Sequence, residues 1–190
     1  MKADYTNNRG ALVALLREKL REERFTHSLG VEQTALALAE KYGASREKAG
    51  LAGLLHDIAK QMDAPALAEK YGILSPSEKT LHGPVGAAWL LEHDIVKDDE
   101  VLLAIKYHTT GRADMTLLEK IIYLADYIEP SRDFAEVAQM REYAFSDINK
   151  ALLYGLKLSM VDIVERGSLV DIDSVEAYNC YRRMFEGGEV

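Results

Sequence analysis

Apolar residues recur along this chain at helical spacing, and no stretch shows the strict alternation of a half-buried strand. The segment GALVALLREKLRE at 10–22 is typical, because apolar side chains repeat every three or four residues before charges take over. Without strands, these apolar faces have to be buried helix against helix. The sequence therefore predicts an all-α fold, a single-domain helical bundle.

Capping and helix-breaking residues predict where the helices begin and end. A helix from Thr26 to Tyr42 should stop at Gly43, and another should start near Ser45 and continue to about Lys60. The other predicted helices are one opened by Asp63 and Pro65 and closed by Gly72, one opened by Pro84, one from Asp98–Glu100 to near His108, one between the Thr116–Glu119 capping box and Pro130, and three at about 134–142, 146–166 and 173–186.

Charge and cysteine usage restrict the partners and the compartment. The net charge of −8 argues against binding to nucleic acid or to an anionic membrane. No apolar run approaches the ~18–20 residues of a membrane span, and the start MKADYTNNRG lacks a signal-peptide core. The single cysteine, Cys180, excludes an internal disulfide, so the expected compartment is the reducing cytoplasm.

The stretch LAGLLHDIAKQ places His56 and Asp57 side by side in an apolar helical segment, with Lys60 three residues later. A buried His-Asp pair costs several kcal/mol unless both groups are paired or bind something. The pair therefore lies either at a helix edge without a functional role or in a functional site. On a helix the two side chains would point ~100° apart and still reach a shared centre, with Lys60 one turn beyond His56 on the same face.

Other polar residues at helix ends enlarge this candidate site. Of the five histidines, His27, His82 and His108 lie, like His56, at predicted helix ends, whereas His93 is assigned to the surface. Asp126 interrupts the apolar row IIYLADYI, where it is either a metal ligand or a surface carboxylate paired with a nearby Lys or Arg.

The residue types in this set indicate a pair of metals. Imidazoles and carboxylates without a thiolate suit iron, manganese, zinc or nickel. Six ligands exceed the needs of one four-coordinate metal and fit two metals bridged by Asp57, the usual arrangement for in-line attack on phosphorus. A polyanionic substrate would need local positive charge, because the net charge of the chain is −8 and its lysines and arginines are scattered. Two bound metals would supply that charge.

The order His27, His56-Asp57, His82, His108, Asp126 resembles the HD-domain phosphohydrolase superfamily in its binuclear form. The flanking sequences resemble more closely the bacterial YqeK-type family of symmetrical diadenosine-tetraphosphate hydrolases, over roughly residues 10–185. The matching blocks are RFTHSLGV (24–31), AGLLHDIAK (52–60), LHGPVGA (81–87), IKYHTTGR (105–112) and KIIYLADYIEPSR (120–132). The resemblance implies one HD domain over residues 1–190, with a core at about 20–135 and C-terminal helices at about 136–186.

The resemblance also implies roles for individual residues. One iron would be held by His27, His56, Asp57 and Asp126, and the other by His82, His108 and the shared Asp57, with manganese, cobalt or nickel as alternatives. Asp57 and Lys60 would be catalytic, because a metal-bridging hydroxide would attack an inner phosphorus and Lys60 would lie beside the phosphate. The remaining expected phosphate contacts are Thr109, Arg112 and Arg132.

The implied substrate is a dinucleoside polyphosphate, diadenosine tetraphosphate, cleaved symmetrically into two ADP. Two alternatives stay open from the residues alone: an HD phosphohydrolase of another nucleotide, and a non-catalytic nucleotide-binding module. Apolar stretches in the last two predicted helices are compatible with a homodimer.

Overall fold

The structure, a computed structural model, describes residues 5–185, and within that range it contains helices and no strand, which confirms the all-α prediction. None of these helices combines the length and apolar character needed to cross a bilayer. The helices are α1 (Tyr5–Lys19), α2 (Glu22–Tyr42), α3 (Arg46–Leu55), α4 (Ala64–Tyr71), α5 (His82–Glu92), α6 (Asp99–Tyr107), α7 (Leu117–Ile128), α8 (Val137–Ser146), α9 (Ile148–Glu165), α10 (Ile172–Met184) and a 3₁₀ turn at Glu78–Thr80.

Local chemistry sets most helix ends as predicted. The Ser45 hydroxyl accepts the Lys48 amide at the start of α3, and Thr116 and Glu119 form a reciprocal capping box on α7. Gly43 and Gly72 end α2 and α4 in the left-handed region, with φ of 71° and 65°. The first helix, expected in the apolar segment 10–22, covers Tyr5–Lys19.

The prediction that the third helix continues to Lys60 is wrong. α3 ends at Leu55, and the next residues form tight turns in which the Ile58 amide donates to the Leu55 carbonyl at 3.1 Å. The His56 ring donates through Nδ1 to the Gly53 carbonyl at 2.8 Å, the group that would accept the Asp57 amide in a continuing helix. The His-Asp pair is therefore presented by turns rather than by a helix face.

Helix α7 occupies the centre of the bundle. It contacts α2, α3, α6, α8 and α9, and its residues Ile121, Ile122 and Leu124 are fully buried. Because a central helix is surrounded by others, a polar side chain on it lies mainly among its neighbours, and the Asp126 side chain is 20% exposed. Asp126, on this helix, accordingly points toward the ends of the elements that carry the histidines.

A buried ionic contact fastens the first helix to the second. Glu32 on α2 is buried, accepts the Tyr5 hydroxyl, and receives two N–H groups of Arg9, each at 2.7 Å. The bidentate geometry is the strong form of an arginine–carboxylate pair. Burial, followed by the hydrogen bond to Glu32, raises the pKa of Tyr5 above its ordinary value, so the phenol stays a donor.

Candidate metal centre

Six polar side chains from five parts of the chain converge at one end of α7. They form three overlapping groups, and within each group the potential ligand atoms all lie within 4.8 Å of one another. The members are His27 in α2, His56 and Asp57 in the turns after α3, His82 at the start of α5, His108 just after α6, and Asp126 in α7. These are the six residues predicted as metal ligands.

Asp57 lies in the middle of this cluster. Its Oδ1 is 3.2 Å from His82 Nε2 and 3.5 Å from His108 Nε2. Its Oδ2 is 3.7 Å from His56 Nε2 and 4.0 Å from His27 Nε2. Each carboxylate oxygen thus faces a different pair of imidazoles, which is the arrangement that a ligand shared by two metals requires.

Hydrogen bonds outside the cluster orient the imidazoles. His56 Nδ1 donates to the Gly53 carbonyl, and His108 Nδ1 donates to the Ile105 carbonyl at 2.7 Å. Because a carbonyl only accepts, these bonds place the proton on Nδ1 and leave the Nε2 lone pair facing Asp57. His27 Nδ1 lies 3.0 Å from Glu129 Oε1. Outer bonds of this kind are usual for histidines that bind metals.

Three polar atoms inside the cluster are buried without a well-oriented hydrogen bond, although His27 Nε2 lies 3.0 Å from Asp126 Oδ1: His27 Nε2, His56 Nε2 and Asp57 Oδ1. An unsatisfied buried polar atom costs about 1–3 kcal/mol. A cation among them would accept lone pairs from both ring nitrogens and from the carboxylate. The donor set of nitrogen and oxygen with no thiolate suits a divalent first-row metal, so the residues present fit such an ion.

The pKa values of His56, His82 and the two carboxylates favour metal binding, whereas for His27 the neighbours Asp126 and Glu129 outweigh the effect of burial and raise the pKa. Burial lowers the pKa of His56 to about 4, and burial also lowers the pKa of His82. Burial alone would raise the pKa of Asp57, but neighbouring groups, His56 foremost, hold it well below its usual range. Burial alone would also raise the pKa of Asp126, but His27, His56 and Arg132 together hold it well below its usual range. Neutral imidazoles and ionised carboxylates are the forms that bind metals.

Lys60 and Thr109, both predicted substrate contacts, lie at the cluster. Lys60 Nζ is 3.0 Å from His82 Nε2 and 3.8 Å from Asp57 Oδ1, and burial lowers the pKa of this amine. Thr109 Oγ1 is 3.2 Å from His82 Nε2 and 3.1 Å from His108 Nε2. Both groups therefore border the side of the cluster formed by His82 and His108.

The two predicted arginines have different positions. Arg132 lies at the cluster, where Nε donates to the Asp126 carbonyl at 2.7 Å and Nη2 pairs with the Asp126 carboxylate. Arg112 instead binds both carboxylate oxygens of the buried Glu119, at 2.6 and 2.8 Å. The structure thus brings Arg132 to the cluster and pairs Arg112 with the capping box of α7.

Sequence reasoning missed Glu129 and Arg24. Glu129 is 1% exposed and holds His27, while the Ser131 amide donates to its Oε2 at 2.7 Å. A Cβ on Gly30 would lie 2.6 Å from Glu129 Oε2, so glycine at 30 makes room for this carboxylate. Arg24 Nη1 is 3.4 Å from Asp57 Oδ2. Both residues fall inside blocks that were quoted for the resemblance, which is the signal that could have found them.

Replacing Glu129 with glutamine is expected to weaken metal binding about tenfold, because a neutral amide orients His27 less firmly and leaves it less basic. Competition with a chromogenic chelator measures this affinity. Glu92→Gln is the matched control, since Glu92 is a half-exposed carboxylate that pairs with Lys70. Equal metal affinity in the two variants would contradict the orienting role of Glu129.

Comparisons with known proteins identify the family of this chain. Residues 24–131 match the model of the HD domain family. The chain is 40% identical over 179 residues to a Bacillus subtilis protein named bis(5'-nucleosyl)-tetraphosphatase, symmetrical, covering 90% of this chain and 96% of that one. A Staphylococcus aureus protein of the same name is 40% identical over 177 residues, covering 88% and 91%.

A solved structure is also similar. The crystal structure of a predicted HD superfamily hydrolase involved in NAD metabolism, from Clostridium acetobutylicum, matches with a TM-score of 0.85 and 37% identity. The match covers 92% of this chain and 97% of the other. The helical architecture described above is therefore the one found in that hydrolase.

Proposed function

Because the chain belongs to the HD-domain family, among its symmetrical bis(5'-nucleosyl)-tetraphosphatases, we propose that it hydrolyses diadenosine tetraphosphate into two molecules of ADP. The observation that carries the proposal is the placement of Asp57, each of whose carboxylate oxygens faces a separate pair of histidines. Two metals bridged by one carboxylate are the usual equipment for in-line displacement at phosphorus.

The proposed ligand sets follow the two oxygens of Asp57. His27, His56 and Asp126 would share one ion with Asp57, and His82 and His108 would share the other. When bound, two divalent ions provide positive charge for the phosphoryl oxygens and make water a nucleophile near neutral pH. We propose iron as the metal, with manganese, cobalt or nickel as alternatives, because imidazole and carboxylate ligands suit all four.

The chain's own residues would position the substrate and balance its charge. In the reaction a water oxygen bonds to an inner phosphorus, the bond to the bridging oxygen breaks, and ADP departs. Negative charge that grows on the phosphoryl oxygens needs preplaced cations and donors. Lys60 supplies an ammonium beside His82, Thr109 a hydroxyl at the same edge, and Arg132 a guanidinium beside Asp126.

Replacing Lys60 with methionine is expected to lower kcat about 10²-fold while metal content stays at the wild-type level, because a cation at the phosphate is lost and none of the six proposed metal ligands is replaced. Steady-state kinetics with metal analysis of the same preparation tests this. Lys97→Met is the matched control, since Lys97 is exposed and pairs with Asp94. A K60M variant that retains wild-type kcat would remove Lys60 from the reaction.

The decisive experiment incubates metal-loaded protein with diadenosine tetraphosphate in ¹⁸O-labelled water and separates the nucleotides by anion exchange. ADP as the sole product, with one labelled oxygen on the terminal phosphate of half the molecules, supports attack at an inner phosphorus. ATP and AMP as products would still support metal-dependent hydrolysis, but with the substrate bound in a different position in the site. Absence of turnover with both metals verified would favour another nucleotide substrate or a non-catalytic module.

Three further expectations stay predictions. They are residence in the cytoplasm, assembly into a homodimer, and the organisation of residues 1–190 as one domain. The contacts of α7 with α2 and α3 and also with α8 and α9 support the single domain, since one central helix packs against helices of both parts.

A further inference from the structure

A cavity of about 250 Å³ opens beside the cluster on the side of His27. One wall comes from α2 with Arg24 and His27, and the other comes from the segment after α7 with Ser131, Arg132 and Phe134. The cavity thus borders a predicted metal ligand directly. Its position is opposite to that of Thr109 and Lys60, which border His82.

Two guanidinium groups face this cavity, and each is held by one of the cluster carboxylates. Arg24 contacts Asp57 through Nη1, and Arg132 contacts Asp126 through Nε and Nη2. Both side chains are about one-third exposed, at 36% and 35%. Their anchored ends fix the direction of the remaining N–H donors, and a planar fork of such donors is suited to phosphate oxygens.

An aromatic ring completes the wall. Phe134 is half-buried and is held edge-on by Tyr127, with 6.4 Å between the ring centroids. Stacking on an aromatic ring is a common way to bind a nucleobase without reading its edge. Three acidic residues, Glu23, Glu129 and Asp133, also line the cavity. Glu23 and Asp133 are exposed, so solvent screens them, and the buried Glu129 is already engaged by His27 and the Ser131 amide.

A second cavity, of about 150 Å³, reaches the cluster from the opposite side through Thr109. Its wall includes the hydroxyls of Thr80, Ser159 and Ser174. A substrate with a nucleoside at each end of its phosphate chain needs space on both sides of the reacting phosphorus. The two spaces differ in chemistry, although the two halves of the substrate are identical.

Resting on the proposed function, we propose that the cavity between Arg24, Arg132 and Phe134 is the half-site for one nucleoside diphosphate unit. The two guanidinium groups bind its diphosphate, and the Phe134 ring stacks on its base. The same cavity then holds ADP as a product, so ADP affinity reports on it without any turnover.

The test measures binding of ADP and of inorganic pyrophosphate to the metal-loaded full chain by calorimetry. Arg24→Gln is expected to weaken both ligands about tenfold, because each contains the diphosphate. Phe134→Leu is expected to weaken ADP about tenfold and to leave pyrophosphate unchanged, since only ADP has a base. Arg46→Gln and Phe145→Leu are the matched controls, at an exposed arginine and a half-exposed phenylalanine outside the cavity.

Wild-type ADP affinity in both Arg24→Gln and Phe134→Leu would overturn the half-site, as would equal weakening of ADP and pyrophosphate in Phe134→Leu. If Arg24→Gln loses metal through its contact with Asp57, the Phe134 comparison decides. The two proposals also fail separately. If the protein cleaves the tetraphosphate to ADP and neither variant changes ADP affinity, only the half-site is rejected. If the variants weaken ADP binding but the protein does not cleave the tetraphosphate, only the proposed substrate is rejected.

Discussion

Replacing Asp57 with alanine is expected to lower turnover by at least about 10³-fold and to empty at least one metal site. The reason is geometric, because each carboxylate oxygen faces its own pair of imidazoles at 3.2 to 4.0 Å. A single substitution would therefore remove one ligand from each proposed metal site. The helical signal should remain largely intact, because the helices are set by their own caps and by the core around α7. Metal analysis, kinetics and circular dichroism of one preparation measure all three.

Two variants serve as controls for this result. Asp99→Ala removes an exposed carboxylate from the first turn of α6 and should keep both metals and the rate. His93→Ala should do the same, because His93 is about half exposed and stacks on Trp89, at 4.1 Å between ring centroids. Retained turnover in Asp57→Ala would refute the shared-ligand role of this residue.

Replacing Gly83 with alanine is expected to destabilise the protein by about 1–3 kcal/mol and to lower activity about 10²-fold. A Cβ at this position would lie 2.7 Å from the Lys106 carbonyl oxygen and 3.4 Å from His108 Nδ1. Because the nearest obstacle is backbone, α5 and α6 have to move apart. That movement would separate His82 from His108, whose Nε2 atoms now lie 3.1 Å apart.

Gly10→Ala is the matched control, because Gly10 is an exposed residue within α1 with nothing within 4 Å of its added Cβ. Removing glycine from an open helical position should stabilise the protein by about 0.4–1 kcal/mol. Urea unfolding of the metal-free proteins gives both values. If Gly83→Ala is as stable as Gly10→Ala, the close approach of α5 and α6 does not fix the spacing of the two histidines.

The helices could be predicted because their signals are local. Ser45, Thr116 and Gly43 satisfy backbone groups within a few residues of themselves, so their effect is visible in a short window. The end of α3 could not be predicted in this way. At this end the His56 ring donates to the Gly53 carbonyl, a contact that no capping or helix-breaking residue in the sequence signals.

The residues of the candidate site likewise fall into those that could be predicted from the sequence and those that could not. His27, His56, Asp57, His82, His108 and Asp126 were predicted from residue type, from placement at helix ends and from resemblance. Glu129 and Arg24 were not, because a buried carboxylate behind a histidine and an arginine beside a ligand are recognisable only from distances. The sequence also did not predict that Arg112 pairs with Glu119, seven residues away, because only packing decides whether these two side chains meet.

By itself, the sequence determined the helical class, most helix ends and the types of ligand that the chain can offer, because spacing, caps and donor atoms are properties of short segments. Only the tertiary structure decided which oxygen of Asp57 faces which histidines, and which arginines reach the cluster. The physical reason is that these distances depend on contacts between helices far apart in the chain, such as the approach of Gly83 to the Lys106 carbonyl.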